Sequence, residues 1–218
     1  MLALQGGFEA HGVVLRRLGA QVREIRTVAD LDGLDGLVIP GGESTTMTLG
    51  IEREGLAGPL RELVLGETGM PVNGRRPPAS ADRGSQRSSI GGVPVLGTCA
   101  GLIMLDREHL GLMDIEAQRN AFGRQSHSFE VDLDVRGLGG SGGERDGAGT
   151  LRAVFIRAPW IAAHGPDVEI LAEVDGHPVA ARQGRILAVA FHAELTGDER
   201  LHRLFLELIE ARDGAQAA

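Results

Sequence analysis

The chain has 218 residues, 42% hydrophobic and 24% charged, the make-up of a globular protein with room for one full α/β core. A formal net charge of −8 argues against a nucleic-acid or anionic-membrane partner, and aromatics at 3% with no Tyr leave few stacking surfaces. All 22 basic residues are Arg, so no side-chain amine is present for Schiff-base chemistry.

In chain order, Met1–Leu4 reads as a short buried strand, followed by a glycine turn and a helix around Ala10–Leu18. Val22–Ile25 is a second strand, and Leu34–Ile39 a third that runs into Pro40-Gly41-Gly42. Thr45–Leu49 opens a helical region, and Leu56–Leu65 carries apolar residues at helical spacing. Val93–Leu96 is a strand feeding Cys99, and Phe129–Val135 alternates as a half-buried antiparallel strand does. Leu151–Ile156, Glu169–Val174, Val179–Arg182 and Ile186–Phe191 are further strands, and Asp198–Ala211 is a closing helix. Helices alternating with strands, then a β-rich stretch, predict a three-layer α/β/α fold with a mainly parallel sheet and an antiparallel extension. The chain is expected to form one domain over 1–218, with a flexible insertion at 73–92 and a glycine-rich loop at 137–149.

Cys99 is the only cysteine, which excludes an internal disulfide and fits a reducing cytoplasm. The first residues carry no secretory-signal pattern, and no apolar run approaches the ~20 residues of a membrane span. Val93-Pro94-Val95-Leu96-Gly97-Thr98-Cys99-Ala100-Gly101 is built like a nucleophile elbow: strand, cramped small-residue turn, helix. The alternative for a lone cysteine is a buried core residue, but a core cysteine has no need of Gly97 and Gly101 around it. A helix N-terminus beside the sulfur favours the thiolate, the nucleophilic form.

Such a nucleophile needs a base and an orienting group. Of seven histidines, His192 alone follows a strongly apolar strand and precedes a carboxylate two residues on, Glu194. That strand end brings His192 and Glu194 to the sheet edge that carries the elbow. Pro40-Gly41-Gly42 can turn an N–H toward a ligand, so the amides of Gly42 and Ala100 are candidates for an oxyanion hole. A tight turn capped by Ser44 or Thr45 is the structural alternative there.

Gly97-Thr98-Cys99-Ala100-Gly101 with His192-x-Glu194 resembles the class I, triad-type glutamine amidotransferases, whose fold is flavodoxin-like. Four blocks narrow the resemblance to the glutaminase subunits of pyridoxal 5′-phosphate synthase. They are Leu2-Ala3-Leu4-Gln5-Gly6, Pro40-Gly41-Gly42-Glu43-Ser44-Thr45-Thr46-Met47, Arg119-Asn120-Ala121-Phe122-Gly123-Arg124-Gln125 and Phe155-Ile156-Arg157-Ala158-Pro159. The resemblance implies a cofactor-free hydrolase that converts L-glutamine to L-glutamate and ammonia through Cys99, His192 and Glu194. It implies glutamine contacts from Gly42, Glu43, Ser44, Arg119, Ile156 and Arg157, and a separate (β/α)8 synthase subunit that receives the ammonia for vitamin B6 synthesis. The family's His-Pro-Glu is His192-Ala193-Glu194 here. Two other readings stay open at this level: the glutaminase of another amidotransferase, such as imidazole glycerol phosphate synthase, and a catalytically impaired docking subunit.

Overall fold

The computed structural model describes residues 1–66, 92–122, 128–138 and 150–216. Of the loops expected at 73–92 and 137–149, all but residues 92, 137 and 138 lie outside the described residues. The central sheet has five strands in the order β1 (Leu37–Ile39), β2 (Val95–Thr98), β9 (Ile186–Val189), β8 (His177–Gln183) and β7 (Glu169–Val174). β1, β2 and β9 run parallel, whereas β8 and β7 are antiparallel to their neighbours. The expected parallel sheet with an antiparallel extension is what forms.

Met1–Leu4 and Val22–Ile25 are less regular than expected. Only Leu2 and Ile25 pair, in parallel. Yet Leu2 N donates to Val38 O and Ala3 N donates to Ile25 O, both at 2.9 Å, so the first residues fill the place between Ile25 and β1. Two short antiparallel ribbons complete the β structure: β3 (Ile115–Gln118) with β6 (Trp160–His164), and β4 (Ser128–Leu133) with β5 (Leu151–Ile156). Neither β3 nor β6 was expected from the sequence.

The helices are α1 (Phe8–Arg17), α2 (Ser44–Arg53), α3 (Ala57–Leu65), α4 (Ala100–Leu105) and α5 (Arg200–Gln216). β2 shows how they are layered, because its neighbouring side chains point to opposite faces. The Gly97 Cα faces α4, where a Cβ would come within 2.6 Å of Leu105 Cδ1. Thr98, on the other face, hydrogen-bonds His11 of α1 at 3.0 Å. The sheet therefore lies between α4 and α1.

The core is contiguous across these layers. Leu37, Ile39, Val95, Leu96, Leu187, Val189 and Leu102 are completely shielded from solvent. Each such branched side chain contributes about 1.5–3 kcal/mol by leaving water. α4 approaches so closely that a Cβ on Gly101 would stand 2.0 Å from Ile39 O, inside van der Waals contact with backbone. Gly101 is thus required by the helix–sheet distance. Among the described residues, no helix is long and apolar enough to cross a membrane.

Candidate active site

Three loops converge at the carboxyl ends of β1, β2 and β9, where open α/β sheets bind their ligands. After β2 the chain turns at Cys99, whose φ of 49° and ψ of −106° lie outside the common regions for a side-chain-bearing residue. Such a backbone costs on the order of 1–3 kcal/mol and persists only where its surroundings hold it. Here the Cys99 N–H donates to Val189 O at 2.8 Å, tying the turn to β9. The next amide, that of Ala100, belongs to the first residue of α4. Cys99 is 6% exposed, and its Sγ lies 3.9 Å from the carbonyl oxygen of Ile156, at the end of β5.

After β9 the chain reaches His192, whose N–H donates to Val154 O at 2.8 Å. A 3₁₀ turn, Ala193–Leu195, follows and folds Glu194 back toward the ring. Glu194 Oε1 sits 2.7 Å from His192 Nδ1, with the carboxylate side chain 2% exposed. Alanine in place of proline at 193 leaves this pairing intact.

Electrostatics bind the three side chains together. Burial alone would strip the proton from His192, but hydrogen bonds to Cys99 and Glu194 outweigh it and push its pKa up to about 10. Burial alone would likewise protonate Glu194, yet the imidazoles of His11 and His192 beside it hold its carboxyl well below the usual carboxylate range. His192 thus interacts with the sulfur on one side and the carboxylate on the other.

The third loop follows β1. Gly41 lies against both reactive groups: a Cβ there would come within 2.5 Å of His192 Cε1 and 3.2 Å of Cys99 Cβ. Its carbonyl accepts a hydrogen bond from Gly7 N at 3.0 Å. Gln5 Oε1 accepts from Glu43 N at 2.7 Å, bracing the loop from the N-terminal segment. Gln5 belonged to a recognised sequence block but was assigned no role; its position directly before Gly6-Gly7 was the available signal.

Glu43, and neither Ser44 nor Thr45, caps α2. Its carboxylate accepts from Thr46 N at 2.7 Å, Thr46 Oγ1 at 2.8 Å and Thr45 N at 3.1 Å. Hydrogen bonds from the Thr46 hydroxyl and amide, with that of Thr45, lower its pKa to about 2. Arg119, just past β3, reaches the same carboxylate at 3.3 Å and the Thr45 hydroxyl at 3.3 Å. Ser44 is buried in the first turn of α2. Arg157 takes a positive φ of 45° beside Ile156. Gly42, Glu43, Ser44 and Arg119 thus form one group around the α2 N-terminus, while Ile156 approaches Cys99 from the end of β5, with Arg157 next in the chain. Gly123, Arg124 and Gln125 lie outside the described residues.

Sequence reasoning did not single out His11 or His202, both fully buried behind Glu194. His11 shares a helix face with Val14 and Leu15, at the i+3 and i+4 positions that mark a core-facing stripe. No metal-binding cluster of His, Cys, Asp or Glu occurs among the described residues.

Comparison with known proteins agrees with this architecture. The SNO glutamine amidotransferase family matches residues 1–74 and 86–211. A protein of Mycolicibacterium vanbaalenii called pyridoxal 5′-phosphate synthase subunit PdxT is 43% identical over 94% of this chain and 94% of its own. Its namesake in Streptomyces avermitilis is 42% identical over 97% of this chain and 93% of its own. A crystal structure of a glutamine amidotransferase superimposes with a TM-score of 0.75 at 39% identity, covering 96% of this chain and 97% of that one. The fold is the α/β fold of the class I glutamine amidotransferases. The chain belongs to the SNO glutamine amidotransferase family.

Proposed function

We propose that this chain hydrolyses L-glutamine to L-glutamate and ammonia and passes the ammonia to a synthase subunit that makes pyridoxal 5′-phosphate. The observation that carries the reading is the contact of His192 with both Cys99 and Glu194 at the mouth of the sheet. The names of the similar proteins support the pathway.

Cys99 Sγ attacks the side-chain amide carbon as a thiolate, its proton already held by His192, whose raised pKa keeps the ring an imidazolium at neutral pH. The tetrahedral oxyanion is stabilised by the N–H groups of Gly42 and Ala100. The imidazolium then protonates the departing nitrogen, the C–N bond breaks, and ammonia leaves a γ-glutamyl thioester on Cys99. Water, deprotonated by the now neutral His192, adds to the thioester; the C–S bond breaks, the proton returns to sulfur and glutamate is released. Glu194 holds the ring and its charge throughout. Arg119 and Arg157 offer guanidinium groups suited to the α-carboxylate of glutamine, with Glu43, Ser44 and the Ile156 backbone completing the pocket. Arg119 exchanges Glu43 for the substrate carboxylate on binding.

The ammonia acceptor is a (β/α)8 synthase subunit in the cytoplasm, and the absence of lysine from this chain leaves imine chemistry to that partner. The test is glutamine-dependent ammonia release by the purified chain with a vitamin B6 synthase barrel. The unaltered chain should exceed the Cys99→Ala variant by several orders of magnitude. Equal rates would reject the enzyme, and stimulation by imidazole glycerol phosphate synthase instead would reassign the partner.

A further inference from the structure

Two imidazoles buried behind Glu194 have no part in the chemistry above. His11 comes from α1 and His202 from α5, and both are fully shielded from solvent. His11 Nδ1 lies 2.9 Å from His202 Nε2. On its other side, His11 Nε2 lies 3.0 Å from Thr98 Oγ1 and 3.2 Å from Glu194 Oε2. Among the described residues, His202 Nδ1 has no hydrogen-bond partner.

This pattern determines where the protons sit. A buried nitrogen without a partner is far less costly as a lone pair than as an N–H. His202 Nδ1 therefore carries the lone pair, and the ring proton is on Nε2. Burial pushes the His202 pKa down to about 4, so the ring is neutral. Its Nε2–H donates to His11 Nδ1, which must then be the acceptor. That leaves the His11 proton on Nε2, aimed between the Thr98 hydroxyl and Glu194 Oε2. Glu194 Oε2 has no well-aligned hydrogen bond of its own among the described residues, so this N–H is its nearest source of compensation.

We infer that His11, locked in one tautomer by His202, is a positioning residue that sets the rotation of the Glu194 carboxylate and so keeps Oε1 on His192 Nδ1. The torsion of a carboxylate about its last bond is broad and two-fold, so one hydrogen bond from His192 does not fix it. A donor on the opposite oxygen removes that freedom. The inference rests on the reading of His192 as the base.

The test separates donor from bulk at position 11, in the complex with the synthase subunit. The amide nitrogen of a glutamine reaches where His11 Nε2 stands, whereas that of an asparagine stops near Nδ1. His11→Asn should lower kcat roughly 10- to 100-fold, as loss of an outer supporting hydrogen bond does, with KM for glutamine changed less than about two-fold. His11→Gln should recover kcat to within about five-fold of the unaltered protein, at a melting temperature like that of His11→Asn. Long-range ¹H–¹⁵N spectra of histidine-labelled protein at neutral pH should show neutral Nε2–H tautomers for His11 and His202.

A titration of His192 in the same spectra is read against the groups facing Glu194. These are His192 on its own segment, His11 from α1, Cys99 from the elbow and His202 from α5, with Asp198 and Glu199 facing His202. His11→Asn should shift that titration to lower pH. Equal kcat in the two variants, or an Nδ1–H signal on His202, overturns the inference. If the unaltered protein releases no more ammonia than Cys99→Ala, the proposed reaction fails. The tautomers and the His192 shift then decide the relay alone: both as expected uphold it, and either one missing sinks it.

Discussion

Gly41 and His192 are packed so closely that an ideal Cβ on the glycine would stand 2.5 Å from Cε1 of the ring. Gly41→Ala must therefore push the imidazole away from Cys99 or bend the loop that carries Gly42. A displacement near 1 Å in a catalytic group lowers turnover by roughly 100-fold. Steady-state ammonia assays should show that loss in kcat, while circular dichroism and the melting temperature stay near those of the unaltered protein.

The raised proton affinity of His192 has a consequence for stability. Its folded pKa of about 10 exceeds the ordinary 6.5, so the stabilisation is complete below about pH 6.5 and fades as pH climbs toward 10. Glu194 acts in the opposite sense: its depressed pKa contributes above about 4.5 and is lost as the solution is acidified below that value. Melting temperatures between pH 6 and 10 should decline for the unaltered protein and decline less for His192→Asn. An equal decline in both would show that the alkaline loss arises elsewhere.

Arg119 is about half exposed and pairs with Glu43 at 3.3 Å. If it exchanges that partner for the α-carboxylate of glutamine, Arg119→Ala should raise KM roughly ten-fold. That is the low end of the range for a charged hydrogen bond. Turnover at saturation should stay within about three-fold, because the guanidinium does not touch the reacting bond. A fall in kcat with KM unchanged would remove Arg119 from the substrate pocket.

Phe155 is 1% exposed, stacks on Phe129 at 4.6 Å between centroids and directly precedes the carbonyl that faces Cys99 Sγ. Phe155→Ala should cost about 3–5 kcal/mol of stability by leaving a cavity. Urea denaturation should report this as a lower midpoint at an unchanged slope. Because β5 carries Ile156, activity should fall along with stability.

The elbow at Cys99 was legible because a β-branched run followed by small residues has few structural alternatives. The parallel pairing of β1, β2 and β9 was legible for a related reason: each strand is a short, mainly apolar and fully buried run that leads into one of the three converging loops. β3 and β6 escaped notice because Ile115-Glu116-Ala117-Gln118 is only four residues long and Trp160 follows a proline. Their pairing partners lie 42 to 49 positions apart, and no local pattern announces such a match. Glu43 caps α2 in place of Ser44 or Thr45, the alternative caps, because its longer side chain reaches two amides and a hydroxyl at once. His11 was weighed by its neighbours along the chain, but the residue that determines its tautomer is 191 positions away.

That separation has a bearing on how the protein comes into being. Synthesis proceeds from the N-terminus, so the sulfur at position 99 is made 93 residues before the imidazole at position 192. The imidazole, the carboxylate and the ring contributed by α5 all follow it in the chain. A nascent chain that stops short of β9 thus carries the thiol without the imidazole and the carboxylate that stand beside it in the fold.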